Sequence, residues 1–403
     1  MKVAFLTSHP IQYQVPVFRQ LEQSDDCEFT AVFCMLPDAK QQGAEFGVEF
    51  EWDIPLLNGY QHHVLENVSE NPGMMHFGGC DTPSVRRYFQ QQQFDVVAIN
   101  GWVVKSCLQA ARACRSLGIP CIVRGEANNL RPRPWWKRFV HKRLMRFYDA
   151  FCPIGTASAA FYQELGIPNE LLFRSPYCIE NARIESTSPR DDASIRKARE
   201  HFGISPDACC FLFCGKLIDK KQPLGLLEAL RHCIETLGGK TKLKSRSSED
   251  HPHVLMVGDG ELRAQCERLC KEHELPVTFA GFLNQSEIGM AYSASDSLVL
   301  PSNHGETWGL VVNEAFAAGI PALVSDQVGC HPDLIEPDHT GWVHAYGDWE
   351  QLGAQMATCT QQKSRLVEMG AKAKKLIEEY SPQVAAKGLL AAASYLHQGR
   401  STR

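Results

Sequence analysis

The chain has 403 residues, too many for one ordinary hydrophobic core, and its 44% apolar and 22% charged content is that of a globular protein. A formal net charge of −5 argues against a general nucleic-acid binder, which concentrates a basic excess. Sixteen cysteines form no CxxC pair and no zinc-type spacing, so they read as buried apolar thiols in a reducing compartment rather than a disulfide framework.

The start, Met1-Lys-Val-Ala-Phe-Leu-Thr7, is too short an apolar run for a secretory leader and reads as a first strand, Lys2–Thr7. Short β-branched runs then alternate with longer helical patterns, which predicts parallel α/β layers. Further strands are expected at Phe29–Cys34, Asp95–Asn100, Cys121–Arg124 and Ala150–Ile154. Helices are expected at Val15–Gln23, Ser84–Gln92, Val104–Leu117, Pro134–Tyr148 and Ala157–Leu165. Together they make a first domain, 1–182. The charged, Pro- and Ser-containing stretch 183–207 reads as a linker with a helix leading out of it.

A second series fills 208–380, with strands at Cys209–Cys214, His253–Val257, Val277–Ala280, Ser297–Leu300 and Ala322–Ser325. The polar stretch Lys240–Pro252 reads as an exposed loop. A last helix, 381–403, is a candidate to cross back to the first domain. No stretch approaches 18 apolar residues, so no membrane span is predicted and a cytoplasmic location is expected.

The most informative stretch runs from Pro301 through Glu306, Gly309 and Glu314 to Gly319. It follows a strand and leads into a helix, at the carboxyl edge where open α/β sheets bind ligands. Gly309 has no Cβ, so a phosphate can approach the backbone, and the next helix start offers amides to an anion. Glu314 is of a type that accepts hydrogen bonds from two vicinal ribose hydroxyls. Lys216 and Lys221, just after a strand, supply cationic phosphate contacts in an otherwise acidic chain. Lys220 reads as a bystander. On spacing alone, the pair Glu306 and Glu314 reads equally well as a surface acid and a helix-face acid.

Gly258-Asp-Gly260 lacks the third glycine of a dinucleotide fingerprint, and the first βα turn, Ser8-His-Pro-Ile-Gln12, has none. No NAD site is expected, and these glycines read as a tight turn beside a nucleotide. No Asp-x-Asp follows an apolar strand, so no metal site is expected either.

Glu306 and Glu314, flanking Trp308-Gly309-Leu310 and followed by Ala-Phe-Ala-Ala-Gly-Ile-Pro321, resemble the E-x7-E signature of the family-4 retaining glycosyltransferases. Phe213-Cys-Gly215-Lys-Leu-Ile-Asp-Lys-Lys221 is similar to that family's donor-phosphate motif, although the family more often has Arg at Lys216. Val257-Gly-Asp-Gly260, Ala280-Gly-Phe282-Leu283 and Ser325-Asp-Gln-Val-Gly329 follow in the family's order.

The resemblance implies the GT-B fold, two Rossmann-like domains with parallel sheets facing each other across a cleft. It also implies sugar transfer from a nucleotide sugar with retention, without metal, the leaving phosphate taking the acceptor proton. The nucleotide sugar is a substrate, so no cofactor is expected. UDP is the first expectation for the donor nucleotide, with GDP open. In that scheme Gly215, Lys216, Lys221, Gly258, Phe282, Leu283, His304, Glu306, Gly309, Leu310 and Glu314 bind the donor. Glu306 holds donor-sugar hydroxyls and, with Lys216 and Lys221, is a candidate for catalysis.

The first half is less similar. Many members carry His after the strand at Cys121–Arg124, where this chain has Arg124-Gly-Glu126. Arg124 and Glu126 are acceptor-side candidates by position, with Glu126 also a candidate for catalysis. His9, Gln12, Tyr13 and Trp102 join them, Trp102 as a surface for stacking on a sugar. From Arg131 to Arg146 stand seven Lys/Arg and no acid, interleaved with Trp135, Trp136 and Phe139. Such a helix either lies on an anionic membrane, where lipid-linked acceptors are found, or packs its apolar side on its own domain. A nucleotide-sugar 2-epimerase and a silent nucleotide-sugar sensor are the competing readings.

Overall fold

A computed structural model of the chain describes residues 1–43, 51–74, 76–239 and 251–401. The contacts divide it into two compact units. The first holds described residues up to 42, those from 51 to 179, and those from 380 onward; the second holds Gly43 and the described residues from 180 to 379.

The first unit is built on a six-stranded sheet of β1 (Lys2–Thr7), β2 (Glu28–Phe33), β3 (His62–Val64), β4 (Val96–Asn100), β5 (Cys121–Arg124) and β6 (Ala150–Phe151). Its order is β3-β2-β1-β4-β5-β6, and every neighbouring pair is parallel. Residues alternate between two cores, as a pleated strand covered on both faces requires. Ala4 and Leu6 enter one core and Val3 and Phe5 the other.

The second core is completed by the last helix, Pro382–Ser401, through Ala385, Ala386, Leu389, Ala392 and Ala393. The approach is close: a Cβ on Gly388 would stand 1.9 Å from the Arg174 carbonyl oxygen. The Ser175 hydroxyl donates to the Ala385 carbonyl at 3.0 Å.

The second unit repeats the plan with β7 (Cys209–Cys214), β8 (Pro252–Val257), β9 (Val277–Gly281), β10 (Ser297–Leu300), β11 (Ala322–Ser325) and β12 (Gly341–His344). The order, β9-β8-β7-β10-β11-β12, is again all parallel. Of the loop expected at Lys240–Pro252, residues 240–250 lie outside the described residues and Pro252 opens β8.

Two strands escaped the sequence. β3 is exposed His-His-Val and β12 is Gly-Trp-Val-His, neither with an apolar run. The stretch 183–207 is not a linker. Its helices Asn181–Thr187 and Asp192–His201 pack on the helices Leu310–Ala317 and Ile288–Ala294. A buried ion pair anchors it, with Arg199 Nη2 2.7 Å from Asp296 Oδ2. Arg199 Nε also donates to the Ala294 carbonyl at 3.0 Å. A charged stretch imitates a linker here because its arginine is turned inward.

All sixteen cysteines are free thiols, and all but Cys27 and Cys214 are buried, as expected of small apolar core residues. Among the described residues no helix is long and apolar enough to cross a membrane.

Replacing Gly388 by Val forces the last helix off Arg174. Overpacking of this kind costs roughly 1–3 kcal/mol, with the upper end expected for a backbone contact. Urea unfolding of Gly388→Val against wild type measures it, and an unchanged midpoint would refute the docking of this helix.

Candidate functional site

Both sheets carry the strand order in which the direction of winding reverses between the first and fourth strands. The crevice outside those strand ends is where open α/β sheets take their ligands. In the second unit that point lies between β7 and β10. The loop after β7 holds Gly215, Lys216, Lys220 and Lys221, and the loop after β10 holds His304, Glu306 and Gly309. The two loops are joined by their backbones, the Asn303 amide donating to the Lys220 carbonyl at 3.0 Å.

Lys221 Nζ lies 2.5 Å from Glu306 Oε2, and Lys220 Nζ lies 3.7 Å from the same oxygen. Glu306 is only 9% exposed. Burial alone would push its carboxyl up, but the charges and hydrogen bonds of Lys221 and Lys220 outweigh that and hold it below its ordinary value. Lys216 belongs to the same cluster. Burial, then repulsion from Lys220 and Lys221, lowers its ammonium to about 8, against the pull of Glu306.

Glu314, on the helix Leu310–Ala317, accepts a hydrogen bond on Oε2 from the Tyr292 hydroxyl at 2.6 Å. Its carboxyl is raised by burial, which prevails over that hydrogen bond and over the charges of Arg183 and Lys221. The field of Lys221 therefore reaches Lys216, Glu306 and Glu314 alike. The structure brings these four residues to one place.

Glycines fix the loops. Gly258, at φ +125°, would put a Cβ 2.0 Å from the Gly215 carbonyl oxygen, so the turns after β7 and β8 touch backbone to backbone. Gly309, at φ +102°, begins the Glu314 helix, and a Cβ there would meet Leu300 at 2.7 Å. Local conformation and packing thus demand glycine at 309 whatever approaches it. The half-buried Phe282 and Leu283 follow β9, whose Gly281 carbonyl accepts from the Gly258 amide at 2.7 Å. His304 is held by its backbone, the amide donating to Gln327 Oε1 at 2.9 Å; Leu310 opens the helix.

Sequence reasoning missed two participants. Lys220 is no bystander, since it shares the Glu306 oxygen with Lys221. Its adjacency to Lys221 was the only signal. Tyr292, fully buried, sits 22 residues before its partner Glu314, and nothing in the sequence ties the two.

In the first unit, the loops after β1, β4 and β5 hold the acceptor-side candidates. Glu126 Oε1 accepts from the Tyr177 hydroxyl and from the Tyr13 hydroxyl, the latter at 3.4 Å. Arg124, buried, lies with its guanidinium 4.8 Å from the centre of the Tyr177 ring. Its Nε donates to Ser175 Oγ at 3.2 Å and its Nη2 to the Pro176 carbonyl at 3.1 Å. Burial first, and then the charge of Glu126, raises both phenols, so each stays protonated as a donor.

Tyr13, Arg124 and Glu126 are thus together, with Tyr177 as the member missed. His9 pairs instead with Ser8 at 2.8 Å, and burial lowers its imidazole to about 4, leaving it neutral. Gln12 is half-buried in the turn before the helix Val15–Glu22. Trp102 is half-buried. It stacks on Phe161 with ring centres 6.2 Å apart and also meets His141, packed against the core.

Residues 194–376 match the family described as glycosyl transferases group 1. The matched stretch lies within the second unit. Over 130 residues, 32% of this chain, it is 32% identical to the sulfoquinovosyl transferase SQD2 of Arabidopsis thaliana. Over 224 residues, 51% of this chain, it is 30% identical to the D-inositol 3-phosphate glycosyltransferase of Gordonia bronchialis. The chain spans 25% and 46% of the lengths of those two relatives.

Among solved structures, HepE of Anabaena in complex with UDP superposes with a TM-score of 0.73 at 17% identity, covering 98% of this chain and 100% of that one. A glycosyltransferase from Rickettsia africae gives 0.73 at 13% identity, covering 98% of each chain. At these identities the likeness speaks to the fold, which is the two-domain α/β GT-B fold.

In this cluster, Glu306→Gln removes the counter-charge of two lysines. Breaking a largely buried pair in this way is expected to cost about 2–3 kcal/mol at neutral pH. Because the Glu306 carboxyl is held below its ordinary 4.5, its contribution is complete above that value and is lost as the pH falls through its lower folded value. Urea unfolding of both proteins from pH 7 downward should therefore show the gap closing in acid. A gap that stays constant would remove the ion pair as its cause.

Proposed function

We propose that this protein is a retaining hexosyltransferase of family 4, moving a sugar from a nucleoside diphosphate sugar to a hydroxyl acceptor. One observation carries the reading. Two lysines contact one buried carboxylate at the switch point of a Rossmann-like sheet, and a third lysine and a second carboxylate lie within the same field. A diphosphate is the ligand class that this concentration of cations fits.

In the proposed mechanism, Lys216 and Lys221 take the charge that develops on the leaving diphosphate, helped by amides at the start of the helix Leu310–Ala317. Glu314 accepts from the ribose hydroxyls, and Tyr292 holds its other contact in place. Glu306 accepts from donor-sugar hydroxyls. The acceptor attacks on the face from which the phosphate leaves, and that phosphate takes its proton. This scheme assigns no role to a metal ion.

The turn at Gly258 and the residues Phe282 and Leu283 flank the nucleotide. Glu126, oriented by Tyr13 and Tyr177, receives the acceptor hydroxyl in the first unit. HepE was solved with UDP and with UDP-glucose, which supports a uridine donor here.

Incubation with UDP-, GDP- and ADP-sugars, with and without a panel of hydroxyl acceptors, tests the reading. Transfer with retention supports it. Isomerised donor in the absence of any acceptor would overturn it in favour of epimerisation, and nucleotide binding without turnover would leave only a sensor. Lys221→Ala is expected to lower kcat/KM by about 100-fold or more, the scale of losing a donor to a developing oxyanion.

The Lys216 ammonium titrates near 8, and only its protonated form attracts a phosphate. Affinity for UDP should then fall by up to about tenfold per pH unit above 8 in the wild type. In Lys216→Arg, whose charge persists, the profile should stay flat between pH 7 and roughly 10. Calorimetric titration across that range measures both, and parallel profiles would exclude Lys216 as a phosphate contact.

A further inference from the structure

The helix Trp135–Leu144 has no buried residue, although half of its side chains are aromatic or aliphatic. Its contacts with the first unit run along one edge. His141 meets Trp102 and Phe161, with the Phe161 ring centre at 5.6 Å, and Leu144 touches the core. At 3.6 residues per turn, Trp135, Trp136 and Phe139 project from the opposite side. Their exposures are 79%, 51% and 53%, and Val140 beside them is at 54%.

The bland alternative, an apolar side packed inward, is therefore not what the chain does. The large apolar side chains face solvent and the inner edge is the narrower one. Four contiguous exposed residues of this size form a patch of the kind that marks an interaction surface.

The cations are arranged around that patch. Lys137 Nζ lies 5.3 Å from the Trp136 ring centre and the Arg143 guanidinium lies 4.6 Å from that of Phe139. Between 131 and 146 stand seven of the chain's 41 Lys and Arg, without one acid, in a protein of net charge −5. A partner complementary to this patch is anionic and has an apolar layer beneath its charge.

Duplex polynucleotides supply the first property but bury their base faces, and a single strand offers stacking faces to the aromatic rings but no aliphatic layer for Val140. An anionic lipid surface supplies both. A ten-residue helix is about 15 Å long, half of the hydrocarbon thickness of a bilayer, so it can only lie in the interface.

We propose that the helix Trp135–Leu144 docks the protein on an anionic lipid bilayer. Trp135, Trp136 and Phe139 enter the headgroup boundary while Lys142, Arg143 and Arg146 pair with lipid phosphates. The helix follows the β5 edge that carries Arg124 and Glu126, and Arg133 at its start donates to the Asn128 carbonyl at 2.5 Å. Docking so placed would present a lipid-borne acceptor to the first unit. The docking itself does not depend on the sugar-transfer reading, because it is measured without donor.

The test uses the full chain and vesicles of phosphatidylcholine with or without about 30% phosphatidylglycerol, at about 0.1 M salt and again at about 0.5 M. The expected result is sedimentation with the anionic vesicles only, weakened by salt, with tryptophan fluorescence quenched by brominated lipid. The exposed side chains allow Trp135→Ser, Trp136→Ser and Phe139→Ser to be combined without loss of the core, and that variant should bind at least about tenfold more weakly. The independent charge variant Lys142→Gln, Arg143→Gln, Arg146→Gln should lose binding to a similar degree.

Failure to bind anionic vesicles at low salt overturns the proposal. So do unchanged binding by both variants, absence of quenching by brominated lipid, or tighter binding to single-stranded RNA than to vesicles. Quenching is read on the wild type, so a variant that fails to fold does not shield the idea.

Discussion

The second unit's site depends on holding three ammonium groups close together in a partly dehydrated place. Two unit charges about 4 Å apart interact by roughly 4 kcal/mol at the effective dielectric of a protein edge. Like charges at Lys216, Lys220 and Lys221 therefore oppose the fold unless an anion is shared among them. Glu306 is that anion: it sits between two of the lysines and pulls on the third. The excess of positive charge lowers the Glu306 carboxyl against its burial, and it adds to the burial that lowers the Lys216 ammonium. A ligand with two or more negative charges completes the balance in a way that no internal side chain does.

Such a cluster is useful only if its loops keep their places. The backbone contact of Gly258 with Gly215 and the Asn303–Lys220 hydrogen bond tie the turns after β7, β8 and β10 into one piece. The Gly329 amide adds the turn after β11 by donating to the Glu306 carbonyl at 3.0 Å. Four strand ends thus hold one charge pattern, and the reorganisation needed when an anion arrives is small. Preorganised charge of this kind carries much of the stabilisation in group transfer.

Much of this was legible because a turn that gathers cations at a strand end constrains residue type. Lysines just past a strand, glycines at positive φ and a carboxylate one helical turn into the next helix are all visible as letters in sequence. Tyr292 was not, because a tyrosine inside an apolar helix gives no sign of which carboxylate it faces. Lys220 was misjudged because spacing ranks neighbouring lysines, whereas the Glu306 oxygen accepts both. β3 and β12 were invisible for a plainer reason: each lies at the edge of its sheet and is held by backbone pairing, with few apolar side chains to betray it. The stretch 183–207 misled in the opposite direction, since Arg199 and Asp296 bury charges that a sequence reading places in solvent.

The two units share one strand order, yet their switch points are chemically unlike. In the second, charge is gathered and glycine predominates. In the first, Arg124 is turned inward onto Ser175 and the Pro176 carbonyl, and Tyr13 and Tyr177 direct their hydroxyls to a single carboxylate. The arginine thereby acts as a support for the Tyr177 ring rather than as an open cation. That arrangement suits a neutral hydroxyl, which needs an oriented acceptor and no compensating charge, and it explains why the first half matched the family motif so weakly. A His at this edge and an Arg-Gly-Glu with two phenols can each orient a hydroxyl, so that physical demand would leave the residue type open in the first unit, whereas gathering like charges round one carboxylate narrows it in the second.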